Sequence, residues 1–228
     1  MYLNIAIDGP AGAGKSTIAK AVAQALGILY LDTGAMYRAM ALKALRAGID
    51  PQDPESVEPL LPDTDIFARN IDGVQHTYLD GEDVSQLLRT QEMARAASDI
   101  SAIPQVRIKL AQVQRAVAQA GDVVMDGREI GSYVLPDTPH KFFVTASLEE
   151  RARRRWTELQ AAGKAGGRTL ADIQAEVAQR DYNDSHRAFA PLVQVPDAVV
   201  IDTTHMSISQ AVDAVLNKLP GKGEVEPT

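Results

Sequence analysis

The sequence predicts an α/β fold: a parallel sheet covered by helices on both faces. Three observations carry that prediction. Five short apolar runs read as buried strands and alternate with helical stretches, the pattern of a parallel sheet with crossover helices. The first of these runs stops at a glycine-rich loop that opens directly into a helix, Gly9 to Ser16. The composition of the 228 residues, 45% hydrophobic and 23% charged, is that of an ordinary globular chain long enough for a sizeable core.

In chain order, Leu3 to Asp8 is the first buried strand. Lys15 to Leu26 follows as a helix, because Ile18, Val22 and Leu26 recur every fourth residue among helix-forming alanines and Gly27 can end it. Ile28 to Leu31 is the second strand. Asp32-Thr33-Gly34 then opens a helix through Met36, Met40, Leu42 and Leu45, closing near Gly48. From Asp50 to about Thr90 the texture changes. Pro51, Pro54, Pro59 and Pro62 punctuate a short helical piece; Asp65–Arg69 and His76–Leu79 alternate like half-exposed strands, with Ile71-Asp72-Gly73 as a hairpin signal between them. This reads as a small antiparallel insertion. Helices return at 90–102 and from Pro104 to Gly121, with proline suited to a first turn. Val123–Asp126 and Phe142–Val144 are the third and fourth strands. Residues 148–187 form two helices broken at Gly163, Gly166 and Gly167; Ala198–Asp202 is the fifth strand, Ser209–Leu219 a closing amphipathic helix, and 221–228 a tail expected to be disordered.

Composition excludes several functions. Thirty Asp and Glu against twenty-three Lys and Arg leave a net charge of −7, which argues against partners coated in negative charge, nucleic acid or anionic membrane. The absence of cysteine removes disulfides, thiolate metal sites and thiol catalysis, and four scattered histidines make a poor metal cluster. No apolar run approaches the roughly 18 residues of a membrane span. Met1 to Gly9 lacks a basic signal-peptide start, so the expectation is a cytoplasmic protein.

The segment Gly9-Pro10-Ala11-Gly12-Ala13-Gly14-Lys15-Ser16, followed by Thr17, matches G-x-x-x-x-G-K-[ST], with a strand before and a helix after it. Glycines and small alanines let the backbone curl until successive N–H groups point at phosphate oxygens, and the helix start adds its positive dipole end. Lys15 then reaches the β/γ-phosphates, and the Ser16 hydroxyl can ligate Mg²⁺. A dinucleotide fingerprint fits poorly, because Thr17 stands where a third glycine is needed.

Among nucleotide-binding classes, a signalling GTPase lacks its guanine-reading motif: Asn217-Lys218-Leu219-Pro220 has no final acid. A motor ATPase would need a strand ending in two acids, whereas Asp126-Gly127-Arg128-Glu129 follows the third strand. A small-molecule kinase fits better. Arg38 and Arg128 follow strand ends, where open parallel sheets bind ligands. Arg180, Asp184 and Arg187 share one helix face by spacing, which favours a functional role over a plain i, i+4 surface pair; Arg151, Arg154 and Arg155 share another, which can equally be read as a solvated helix face. Phosphoryl transfer needs such cations around the equatorial oxygens, supplied in part by an element that closes and excludes water.

Taken together, I-D-G-P-A-G-A-G-K-S-T at 7–17, L-D-T-G-A-M-Y-R at 31–38, D-G-E-D-V-S at 80–85, R-T-Q-E at 89–92, D-G-R-E-I-G at 126–131, R-D-Y-N-D-S-H-R at 180–187 and A-P-L at 190–192 resemble the bacterial cytidylate kinase family over nearly the whole chain. The resemblance implies a P-loop NTPase core (1–32, 98–148 and 188–220) of three α/β/α layers with strand order 2-3-1-4-5. It also implies a nucleoside-monophosphate domain (33–97) carrying the hairpin insertion and a lid (149–187). By position it implies that Thr33, Arg38, Arg128 and Arg187 hold the CMP phosphate, that Ser98, Arg107 and Glu129 read cytosine, and that Arg180 and Asp184 face the ribose. A carboxylate can accept from the cytosine 4-amino group, and uracil's carbonyl there would face it unfavourably.

One position departs from the pattern. Glu129 stands where the family usually has Asp, so either base discrimination changes or Glu129 pairs with Arg187. Asp126 can serve Mg²⁺ through water or be a structural carboxylate. The expected activity is transfer of the ATP γ-phosphoryl to CMP or dCMP by a monomer, with Lys15, Arg128, Arg187 and Arg155 stabilising the transferring group. The alternatives are a kinase for another monophosphate or small metabolite, and a nucleotide-dependent regulatory protein with little turnover. Residues 149–187 hold eight cations against seven acids, so the acidic average conceals a locally cationic region.

Overall fold

Alternation of side chains along the strands decides the layering. In the computed structural model, which describes residues 2–220, strand β1 (Asn4–Asp8) sends Ile5 and Ile7 to one face and Ala6 to the other. Strand β2 (Leu29–Asp32) splits Tyr30 from Leu31, and strand β6 (Val123–Gly127) splits Val124 from Val123 and Met125. Helices α1 (Lys15–Leu26) and α8 (Ile208–Leu216) cover the first face through Ile18, Val22, Ala211 and Val215. Helices α2 (Thr33–Arg46), α4 (Gln91–Ile100) and α5 (Pro104–Ala120) cover the second through Met36, Met40, Ile100 and Leu110.

With β7 (His140–Thr145) and β8 (Val199–Asp202), the parallel sheet runs β2-β6-β1-β7-β8. Counted over these five strands alone, that is the expected order 2-3-1-4-5. The predicted tail at 221–228 lies outside the described residues.

The insertion differs in detail from the sequence expectation. After a short helix α3 (Pro54–Val57), strands β3 (Ile66–Ile71) and β4 (Val74–Leu79) pair antiparallel in register, so Ile71 belongs to the strand and the turn is two residues long. Asp72 and Gly73 both take positive φ, 52° and 78°, as a tight hairpin whose twist matches its strands requires. A third strand, β5 (Glu82–Asp83), and a π-type turn at Ile130–Val134 have no signal in the sequence pattern, because two residues carry no periodicity and the turn is held from elsewhere in the chain.

Helices α6 (Leu148–Ala161) and α7 (Leu170–His186) pack on each other around their own small cluster of Leu159, Ile173 and Val177. Thr169 caps α7 reciprocally with Asp172.

Two glycines at positive φ separate backbone strain from steric exclusion. Gly9 (φ 145°) lies against β7, where a Cβ would stand 1.9 Å from the Val144 carbonyl oxygen; a Cβ on Gly27 (φ 69°) would meet nothing within 4 Å. Gly27→Ala is expected to cost about 1 kcal/mol for the left-handed conformation alone. Gly9→Ala should cost more than about 4 kcal/mol, since β1 and β7 cannot both stay in place. Thermal or urea unfolding of the two variants checks the contrast.

Candidate active site

The glycine-rich loop leaves β1 at the carboxyl edge of the sheet and lines a cleft of about 1340 Å³, together with Thr17, Thr33, Ser98 and the arginines discussed below other than Arg151. That exceeds the roughly 300–1,000 Å³ of a single-ligand pocket. Lys15 is buried and donates from Nζ to the Pro10 carbonyl at 2.7 Å. Burial, with Arg128 and Arg180 nearby, holds its ammonium well below the ordinary lysine range. An arriving anion would restore it. Ser16 Oγ donates to Asp126 Oδ2 at 2.7 Å, and the Tyr30 hydroxyl donates to Oδ1 at 2.8 Å. Burial and the neighbouring Asp32 raise the Asp126 carboxyl.

The loop is gripped from the far side by α6 and α7. Arg151 Nη1 donates to the Ala11 carbonyl at 3.0 Å and pairs with Asp181 at 2.5 Å, while Asp181 Oδ1 accepts from the Ala11 N–H at 3.3 Å. The three arginines expected on one face therefore separate. Arg151 is buried as a clamp on the loop. Arg154 ties Glu150 to the Thr203 carbonyl, at 2.8 and 2.6 Å. Arg155 is 42% exposed and reaches only Glu158.

Across the cleft, Asp32 caps α2 by accepting from the Ala35 N–H and pairs with Arg38 at 2.8 Å. Thr33 Oγ1 donates to the Asp126 carbonyl at 2.7 Å, tying the start of α2 to β6. Gln75 of the hairpin accepts from the Asp32 N–H at 2.7 Å, so the insertion buttresses this corner.

A chain of charges then runs along the acceptor side. Arg128 Nε pairs with Asp184 Oδ2 at 2.7 Å, and Asp184 Oδ1 lies 3.4 Å from Arg187. Arg187 also reaches Glu129 Oε2 at 3.2 Å, and the opposite oxygen of Glu129 pairs with Arg107 and accepts from the Tyr37 hydroxyl at 2.7 Å. The predicted alternative in which Glu129 pairs with Arg187 is thus realised. The Arg107 guanidinium sits over the Tyr37 ring, 5.4 Å from its centroid. Ala190, at φ 45°, turns its carbonyl to accept from both Arg187 (2.9 Å) and Arg107 (3.4 Å).

The helix-face expectation for Arg180, Asp184 and Arg187 needs two corrections. Arg187 lies just past the end of α7 in extended conformation. Arg180 forms no ion pair with Asp184 within 4 Å among the described residues; its buried Nε has no hydrogen-bond partner. Burial, then Arg128 beside it, lowers its guanidinium to about 10. The plain surface pair is excluded.

Thr33, Arg38, Ser98, Arg107, Arg128, Glu129, Arg180, Asp184 and Arg187 all line this one cleft with the loop. Sequence reasoning missed Tyr37, Gln75, Arg151 as a clamp, and Asp181. Tyr37 and Asp181 had a signal, as members of the motifs at 31–38 and 180–187.

The sequence matches the family model described as "Cytidylate kinase" over residues 5–220. It is 50% identical over 215 residues to the cytidylate kinase of Symbiobacterium thermophilum, covering 94% of both chains. It is 50% identical over 222 residues to that of Desulfitobacterium hafniense, covering 97% of this chain and 94% of the relative. The cytidylate kinase of Limosilactobacillus fermentum is 46% identical over 217 residues, 95% of each chain.

A largely buried cation with no ion pair among the described residues costs the free protein stability. Arg180→Met should leave the melting temperature of the ligand-free protein unchanged or slightly higher. The same substitution should lower kcat/KM by about 10²-fold, the usual loss for one charge-stabilising donor. Calorimetry and steady-state kinetics on the same preparation check both halves.

Proposed function

The chain belongs to the cytidylate kinase family, and from that membership we propose how its cleft performs the family's reaction. The reaction is phosphoryl transfer from ATP to CMP or dCMP, giving ADP and CDP or dCDP. The attacking oxygen belongs to the monophosphate and is already anionic, so no protein base or nucleophile is needed. Catalysis is positioning and charge stabilisation.

ATP phosphates lie along Gly9 to Thr17, with Lys15 and Arg128 toward the transferring group. The CMP phosphate is held by Thr33, Arg38, Arg128 and Arg187, and the ribose by Arg180 and Asp184. Ser98, Arg107 and Glu129 face the base. Arg155, free of a buried tie, joins the transferring group when 149–187 moves as a lid. The separate cluster of α6 and α7 supports such a movement, as it lets these helices shift without opening the sheet's core.

The single observation that carries this reading is the convergence of Lys15, Arg128, Arg180 and Arg187 on one cleft, with the loop at one end and the Arg107–Glu129 pair at the other.

The donor set suits Mg²⁺, which takes one or two protein oxygens and fills its shell with phosphate and water. Ser16 Oγ would ligate it directly and Asp126 through water. The ion neutralises charge on the phosphates as they react. The net charge of −7 supports small phosphorylated substrates over nucleic acid. No helix among the described residues is long and apolar enough to cross a membrane. The protein acts as a monomer in this reading, since one chain supplies every residue invoked.

An acceptor panel of CMP, dCMP, UMP, AMP and GMP with ATP, read by ADP release, tests the proposal. CMP and dCMP should exceed UMP by at least about 10-fold, the expected effect of facing a carbonyl toward a buried carboxylate. Equal rates would overturn the assignment. Glu129→Gln should narrow the CMP-to-UMP ratio, because an amide can donate to the uracil carbonyl. Chelating Mg²⁺ should abolish turnover, and Lys15→Ala should weaken ATP binding in a titration.

A further inference from the structure

We propose that Asp8 is a positioning residue: from the strand that carries the phosphate loop, its carboxylate sets the backbone that presents Arg128 and Glu129 to the acceptor nucleotide. The inference deepens the reading above and rests on it.

Asp8 is the last residue of β1 and is only 6% exposed. It makes no side-chain hydrogen bond to the adjacent loop among the described residues. Instead Oδ1 accepts from the Ile130 N–H at 2.8 Å and Oδ2 from the Gly131 N–H at 2.7 Å. These are the first two donors of the turn Ile130–Val134, and the first N–H groups of any helical turn lack partners within it. A carboxylate 122 residues away in sequence therefore caps this turn.

The cap fixes the catalytic dipeptide between two anchors. On one side β1 and β6 run in register, with Asp8 opposite Gly127. On the other, the Glu129 carbonyl accepts from the N–H groups of Tyr133 (2.9 Å) and Val134 (3.1 Å). Arg128 and Glu129 lie between these anchors. If the turn slides, Arg128 moves against Asp184, and Glu129 moves against Arg107, Arg187 and Tyr37.

The pocket around the carboxylate is closed by absence of bulk. A Cβ on Gly131 would stand 3.2 Å from Lys141 Cδ and 3.4 Å from Asp8 Oδ2. The Lys141 stem roofs the site while its ammonium is engaged by the Pro136 carbonyl and Asp197, each at 2.6 Å. Burial pushes the Asp8 carboxyl up to about 6, opposed by the two backbone donors. Lys15 nearby also favours its ionised form, in which both oxygens accept.

The test is Asp8→Asn, which keeps the shape but sets an NH₂ against a backbone N–H. Lost capping of the turn should raise KM for CMP by about 10-fold or more, the effect of one unmade buried hydrogen bond. KM for ATP should stay within about 2-fold, because the phosphate loop receives no bond from this carboxylate. Equal rises in both constants would overturn the proposal, and so would an unchanged KM for CMP beside a lowered melting temperature.

Gly131→Ala disturbs the same cap from the opposite side and decides the matter if Asp8→Asn fails to fold. It should raise KM for CMP selectively, and unchanged constants there would refute the inference. If the wild-type protein prefers another monophosphate, the reading above fails on its own, and the same comparison made with that acceptor still tests Asp8.

Discussion

Like charges repel, and this fold gathers Lys15, Arg38, Arg107, Arg128, Arg180 and Arg187 around one cleft. At a few ångströms and partial burial each uncompensated pair costs on the order of several kcal/mol. The arrangement survives because carboxylates are interleaved with the cations. Asp32 holds Arg38, Asp184 bridges Arg128 and Arg187, and Glu129 bridges Arg187 and Arg107. Arg180 is left over. Burial first, and then the neighbouring cations, depress the ammonium of Lys15 and the guanidinium of Arg180. An anion placed among them would relieve the repulsive part.

Holding such a network demands anchors from distant parts of the chain. The hairpin contributes Gln75 to the Asp32 corner. The loop after α7 accepts a strained conformation at Ala190 so that one carbonyl can serve two arginines. Arg151 and Asp181 grip the phosphate loop through both polar groups of Ala11. Asp8 caps a turn whose preceding dipeptide carries the cleft's central ion pairs. All but the Arg187–Ala190 contact are remote in sequence, which makes the cleft a property of the whole fold.

The glutamate at 129 illustrates how such a network absorbs a change. The glutamate carboxylate bridges Arg107 and Arg187, whose guanidinium groups also share the Ala190 carbonyl. It also takes the Tyr37 hydroxyl, which burial and that same carboxylate keep protonated by pushing its pKa well up. One side chain thereby ties together Arg107, Arg187 and Tyr37.

Strand order, the layers and the phosphate loop were legible in the sequence because each rests on short-range pattern: apolar alternation, helical periodicity, and glycines at fixed offsets before Lys15. Most residues named by motif line one cleft. Their partners were not legible. The surface pair weighed for Arg180 and Asp184 does not form, since Arg128, just after β6, takes Asp184 instead. Arg151 looked like its neighbours on the surface and proved to be a buried clamp. The two-residue strand β5 and the π-type turn escaped entirely. Sequence by itself determined which elements form and which chemistry they carry, because backbone preference and burial pattern act within a few residues. Only the tertiary structure decided which charge neutralises which, because electrostatic and hydrogen-bond partners are chosen by distance in space, and here they come from segments far apart in sequence, 170 residues in the case of Ala11 and Asp181.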